Sequence, residues 1–164
     1  MGEENNLEKF KKEYSKLQKK FGLPSFQIMN EDFQIETIAK NEAEILIREI
    51  RKIIADKLAG FMKIIESLLN PSNVPLFVFS MAKSVGEKDR KNISEIYKQL
   101  AEKEIDCLEL DIVFNEKKEA KFVNDSYLLW QEIKKESIPI IDSIRKNMKI
   151  KPEPKPSNAR EYFR

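Results

Sequence analysis

The sequence predicts an all-α protein: an irregular bundle of four to six helices, two or three of them long, followed by an extended, disordered C-terminal tail. Three observations predict it. Apolar residues recur at three- and four-residue intervals along nearly the whole chain, the period of a helix rather than a strand. Only four glycines interrupt 164 residues, and the seven prolines fall at 24, 71, 75 and 139 or inside the tail. The one β-like run, Asp111 to Phe114, continues a helical pattern. The length suits one domain with its own core, residues 1–148, with residues 149–164 as a Pro-rich, charged appendage.

Residues 1–22 read as a basic amphipathic helix. Leu7, Phe10, Tyr14, Leu17 and Phe21 step by three and four onto one face, Gly22 supplies the stop, and Pro24 lies just beyond. Residues 23–40 read as a connector holding one short helix after Ser25. Its Leu23, Phe26, Ile28, Phe33 and Ile35 require it to pack on the body.

Core helices fill residues 41–148. Asn41 is placed to cap the longest, which runs to Leu69 with a wide apolar stripe that includes Ile50, Ile54, Leu58, Ile65 and Leu68. Gly60 inside it suggests a close helix crossing. The apolar segment Leu76 to Ala82 is expected inside the bundle. Ser84 and Glu87 have the spacing of a capping box for a second long helix, with Ile93, Tyr97, Leu100, Ala101, Ile105, Leu108 and Ile112 inward. Asn115 and the charged residues 116–121 mark a turn or a polar start to the last helix. That helix shows Val123, Ser126, Trp130, Ile133, Ser137, Ile141, Ile144 and Met148 on one face, and Pro139 must kink or divide it.

The chain contains no histidine, which removes the commonest general base and metal ligand and every triad built on imidazole. Di-iron helical sites that need Glu-x-x-His are removed with it. The four glycines are too dispersed for a phosphate-cradling loop. The single cysteine, Cys107, lies between Ile105 and Leu108 and reads as a buried structural thiol rather than a nucleophile. Glu42, Glu44, Glu104 and Asp111 are conceivable acids, yet no pair of them lies unambiguously on a buried face. The expectation is a non-enzymatic protein with no cofactor and no metal. With no disulfide, no apolar leader and no apolar run near 18 residues, the expected setting is the cytoplasm, without integral membrane association.

Binding features sit at the two ends. Net charge is +2 overall, but residues 7–21 carry six lysines against two glutamates and residues 149–164 carry five basic against two acidic groups. Lys11, Lys12, Lys16, Lys19 and Lys20 provide an electrostatic face suited to phosphates, so RNA or the ribosome is one partner class. The aromatic face of the same helix is expected to dock on the bundle, although its spacing would also seam two copies into a homodimer. In the tail, three prolines alternating with charges make a stiff spacer of about 3 Å per residue. It carries Tyr162, Phe163 and Arg164. An aromatic pair on such an arm is the form of a short linear motif that docks a protein partner. The ending Tyr162-Phe163-Arg164 resembles the hydrophobic-Tyr-X tails of proteasome-activating particles. That resemblance implies Tyr162 in the hydrophobic position, Phe163 in the aromatic one, and the Arg164 carboxylate meeting a pocket lysine. The leading expectation is therefore an interaction or adaptor protein, with a nucleic-acid- or ribosome-associated helical protein as the rival.

Overall fold

A computed structural model describes residues 2–40 and 43–150, and the described chain is all-α. Six α-helices and one 3-10 helix account for its regular structure, and no strand occurs among the described residues. The helices are α1 (Gly2–Phe21), α2 (Phe26–Phe33), α3 (Leu46–Leu69), α4 (Leu76–Ser84), α5 (Glu87–Ile112) and α6 (Glu116–Ile150), with the 3-10 helix at Ile35–Lys40. Helix α3 packs along both α5 and α6, which form an antiparallel hairpin, while α1 and α2 close one side and α4 the other.

Helix α1 behaves as its periodicity predicts. Phe10 and Tyr14 are buried, and Leu7, Leu17 and Phe21 pack against the core. The aromatic face is thus consumed by docking, with Phe10 and Tyr14 meeting Phe26 edge-on at 5.7 and 5.8 Å between centroids. Gly22 ends the helix at φ 64, and its N–H donates to the Gln18 carbonyl at 2.8 Å. The Tyr14 hydroxyl donates to the Pro24 carbonyl at 2.7 Å, and burial pushes its pKa well above the ordinary 10.

The connector holds the short helix expected after Ser25, whose side chain caps it by accepting from the Ile28 N–H. Met29, Phe33, Ile35 and Ile38 point inward and Ile28 outward. Asp32, near the end of α2, is fastened to α6: Lys134 Nζ lies 2.6 Å from Oδ1 and Gln131 Nε2 donates to Oδ2 at 2.7 Å. Burial alone would raise the Asp32 pKa. The hydrogen bonds from Lys134 and Gln131, with the charges of Lys134 and Lys57, outweigh it and hold the carboxyl below its ordinary 3.8.

Several local expectations are corrected. Helix α3 starts at Leu46, after Ile45, which gives no side-chain cap. Asn41 lies outside the described residues. Gly60 meets no atom within 4 Å of where a Cβ would stand, so no helix crosses closely there. Within α4, Leu76 and Phe77 face solvent and only Ala82 and Ser84 are buried, because a nine-residue helix against α3 and α6 has one narrow inner face. Ser84 does not cap α5: its hydroxyl donates to the Ser80 carbonyl inside α4, and Gly86 takes the cap position. The start of α5 therefore has no side-chain cap, and its Arg90 serves the preceding helices, with Nη1 and Nη2 donating to the Leu69 and Ala82 carbonyls at 3.3 and 3.1 Å and closing the ends of α3 and α4 together. Pro139 sits inside an undivided α6. In that helix Ile140 and Leu129 take core places, while Ile141 is exposed and Trp130 is half-buried between Phe33 and Phe61.

Candidate functional site

The lysine face was the one predicted site within the described residues. Lys12, Lys16, Lys19 and Lys20 are exposed and Lys11 is partly covered; Lys12, Lys16 and Lys19 lie on the side of α1 away from the docked aromatics, and Lys11 and Lys20 flank it. Lys20 reaches Glu116 of α6 at 2.7 Å and Lys11 pairs with Glu8 at 3.4 Å. Lys11 also lies 5.7 Å from the Phe26 ring centre. Lys12, Lys16 and Lys19 have no ion-pair partner among the described residues. The second predicted site, Tyr162, Phe163 and Arg164, lies outside the described residues.

The sequence reading missed a buried ionic cluster. Arg51 is 2 % exposed and Glu119 0 %. Arg51 Nε donates to Glu119 at 2.9 Å, Nη2 to Asp111 at 2.6 Å, and Nη1 to the Cys107 Sγ at 3.7 Å. Burial alone would weaken the guanidinium's hold on its proton. The hydrogen bonds to Asp111 and Glu119 reverse this and raise its pKa. Burial likewise raises the Cys107 thiol, with Arg51 partly offsetting it, and the thiol is buried as expected. One turn earlier, Arg48 donates to the Leu110 carbonyl at 3.1 Å, stands 3.6 Å from the free oxygen of Glu119, and lies over the Phe114 ring.

These two arginines of α3 thus grip both sides of the α5–α6 turn. A signal for the cluster existed. Arg51 stands four residues after Ile47 and three before Ile54, and Glu119 four before Val123, so each charge interrupts an apolar row at a core position. Two opposite charges in such places are matched only if the rows face each other, which the order of helices alone does not reveal.

The helix that carries Asp111 and Cys107 also presents a surface that the sequence predicted to lie in the core. On α5 the buried row is Ile93, Ile96, Leu100, Cys107 and Leu110. Ile105, Leu108 and Ile112, expected inward, are 67 %, 59 % and 83 % exposed. At about 100° per residue these three share one face, nearly opposite the buried row. Carboxylates border the stripe on both sides, Glu102 and Glu109 on one and Glu104 and Asp111 on the other. Glu109 is paired with Lys118 and Asp111 with Arg51, whereas Glu102 and Glu104 have no ion-pair partner among the described residues. Fully burying one such aliphatic side chain is worth about 1.5–3 kcal/mol, so three in a row on a solvent face form a surface primed for contact.

No group of His, Cys, Asp or Glu able to hold a metal ion occurs among the described residues, and no described helix is long and apolar enough to cross a membrane. Comparisons with protein-family models, with curated proteins and with solved structures found no match.

Proposed function

We propose that this is a non-enzymatic cytoplasmic interaction protein, whose helical body docks a protein partner and whose tail, through Tyr162, Phe163 and Arg164, provides a second point of attachment. The observation that carries this reading is the acid-bordered apolar stripe Ile105-Leu108-Ile112. The fold leaves it exposed, on the face of α5 away from the Ile93, Ile96, Leu100 and Leu110 row that packs in the core. The test is capture of partners from native lysate by wild-type protein, by Leu108→Lys/Ile112→Lys and by Tyr162→Ala/Phe163→Ala, each with and without nuclease. Partners lost from either variant but indifferent to nuclease support the reading; partners that every variant retains overturn it.

A second reading, nucleic-acid or ribosome association, is favoured by one observation: the exposed Lys12, Lys16 and Lys19 without acidic partners among the described residues. Binding of that kind would weaken steeply with added salt and vanish with nuclease.

A further inference from the structure

We infer that the α5 stripe is one half of a short two-stranded coiled coil, whose other half is a partner protein's helix with aliphatic residues along its seam and basic residues on both sides of it. This rests on the reading of the stripe as a docking surface and names the chemistry of what docks there.

The first argument is register. Ala101, Ile105, Leu108 and Ile112 are spaced by four, three and four residues, the alternation of a and d positions in a heptad. With Ile105 and Ile112 at a, Ala101 and Leu108 fall at d, and isoleucine at a with leucine at d is the combination that favours two strands. In the same register Ile93, Ile96, Leu100, Cys107 and Leu110, the residues that α5 buries in the body, all fall at c and f, on the far side of the helix from the seam. One face of α5 is thus committed to the body, and the opposite one has the pattern of a helix that pairs.

The second argument is charge. The e and g positions that flank the seam are Glu102 and Glu109 on one side and Glu104 and Asp111 on the other, so all four are acidic. A helix bound for a globular core carries apolar residues at e or g as well, whereas charge at both leaves the narrow seam of a coiled coil. Charges at these positions set which helices pair. A second α5 would bring the same carboxylates against these, and like charges at a contact oppose it. A helix with lysine or arginine at e and g meets an opposite charge on each side. Helix α1 is basic, but Phe10 and Tyr14 are buried and its other apolar residues pack on the core, so it has no seam to offer. Residues 151–164 contain no Leu, Ile, Val or Met to fill one.

The third argument is extent. Lys98 and Ser94 take the preceding a and d positions, and Ile112 is the last residue of α5, so the apolar seam runs from residue 101 to 112. That is about 17 Å at 1.5 Å per residue, which two heptads of a partner cover. A contact so small belongs to the weak, readily reversed class.

The experiment is a fluorescence-anisotropy titration of the full chain against three labelled synthetic peptides of three heptads each. One has Ile at a, Leu at d and Lys at e and g; the second has Glu at e and g; the third scrambles the residues of the first. Circular dichroism checks that each protein variant is folded. The basic peptide is expected to bind, less tightly as salt is added, while the other two do not bind over the same range. Leu108→Lys/Ile112→Lys should weaken binding by roughly tenfold or more, the scale of losing an interface anchor. Glu102 and Glu104 are exposed and have no ion-pair partner among the described residues, so Glu102→Lys/Glu104→Lys should shift preference from the basic to the acidic peptide.

A basic peptide that does not bind, or that binds no better than the acidic or scrambled one, overturns the inference. Two further outcomes give the stripe another occupant and overturn it too. One is self-association in sedimentation velocity that Leu108→Lys/Ile112→Lys abolishes, which puts a second copy there. The other is peptide binding that appears only in Tyr162→Ala/Phe163→Ala, which puts the chain's own tail there. If the basic peptide fails while partner capture still depends on Leu108 and Ile112, the inference fails and the docking reading stands; if capture is also unaffected, both fail.

Discussion

Removing the charge of Glu119 takes from a buried guanidinium its one fully buried carboxylate partner. In Glu119→Leu the Arg51 head group, 2 % exposed, keeps only Asp111, whose own side chain is more than half exposed, and the weak contact to Cys107. Breaking a buried pair from one side costs about 3–5 kcal/mol, since the remaining charge stays out of water without compensation. Arg51→Met leaves the buried Glu119 with only Arg48, 3.6 Å away, so its cost should fall toward the lower end of that range. Against a total stability of about 5–15 kcal/mol either change is severe, and for a chain of this size it corresponds to a drop in Tm of roughly 6–20 °C. The double variant Arg51→Met/Glu119→Leu removes both charges and fills the space with apolar atoms, so it should lie within about 2 kcal/mol of wild type. Urea unfolding followed by the fluorescence of Trp130, the one tryptophan, which is packed between Phe33 and Phe61, gives all four corners of the cycle. Single variants that cost less than about 1 kcal/mol, or a double variant as unstable as the two singles combined, would refute the claim that the pair is buried and coupled.

Other outcomes follow from the same structure. Asp32 has a depressed pKa in the folded protein, so its contribution is present above the ordinary 3.8 and lost as pH falls through the lower folded value; Asp32→Asn should flatten that acid limb in pH-dependent unfolding. Tyr14 has a raised pKa, so its contribution is complete below the ordinary 10 and is lost as pH rises beyond it. In a phenolate absorbance titration Tyr14 should ionise only with unfolding, and Tyr14→Phe should remove that late step. Ser126 is fully buried with no hydrogen-bond partner for its hydroxyl among the described residues, so Ser126→Ala should be neutral or stabilising by up to about 1 kcal/mol in the same urea assay.

The fold class was legible because hydrophobic period and the Gly and Pro positions act locally. Helix α1, the short helix after Ser25 and the turn before α6 all follow from residues within a few positions of themselves. What a single sequence does not expose is which of two apolar rows on one helix meets a partner. On α5 the row ending at Leu110 and the row ending at Ile112 are about equally apolar, and packing against α3 and α6 decides between them. The lysine face was visible because solvated charge needs no partner to place it. The Arg51–Glu119 pair was hidden for the opposite reason: each residue alone resembles a surface charge, and only contact between residues 68 positions apart makes either tolerable inside.

The clasp made by Arg90 bears on the order in which parts of the protein come loose. Helix α4 has nine residues, well short of the roughly 12–15 at which an isolated helix becomes even marginal in water, and Pro75 opens it without a side-chain cap. Its closing carbonyls are held from elsewhere, Ala82 by Arg90 of α5 and Ser84 by Asn147 of α6. The stability of α4 is thus borrowed from chain that follows it, and whatever frays the far end of α6 also loosens α4. In hydrogen exchange these two segments, more than 60 residues apart along the chain, should behave as one unit that opens ahead of α3.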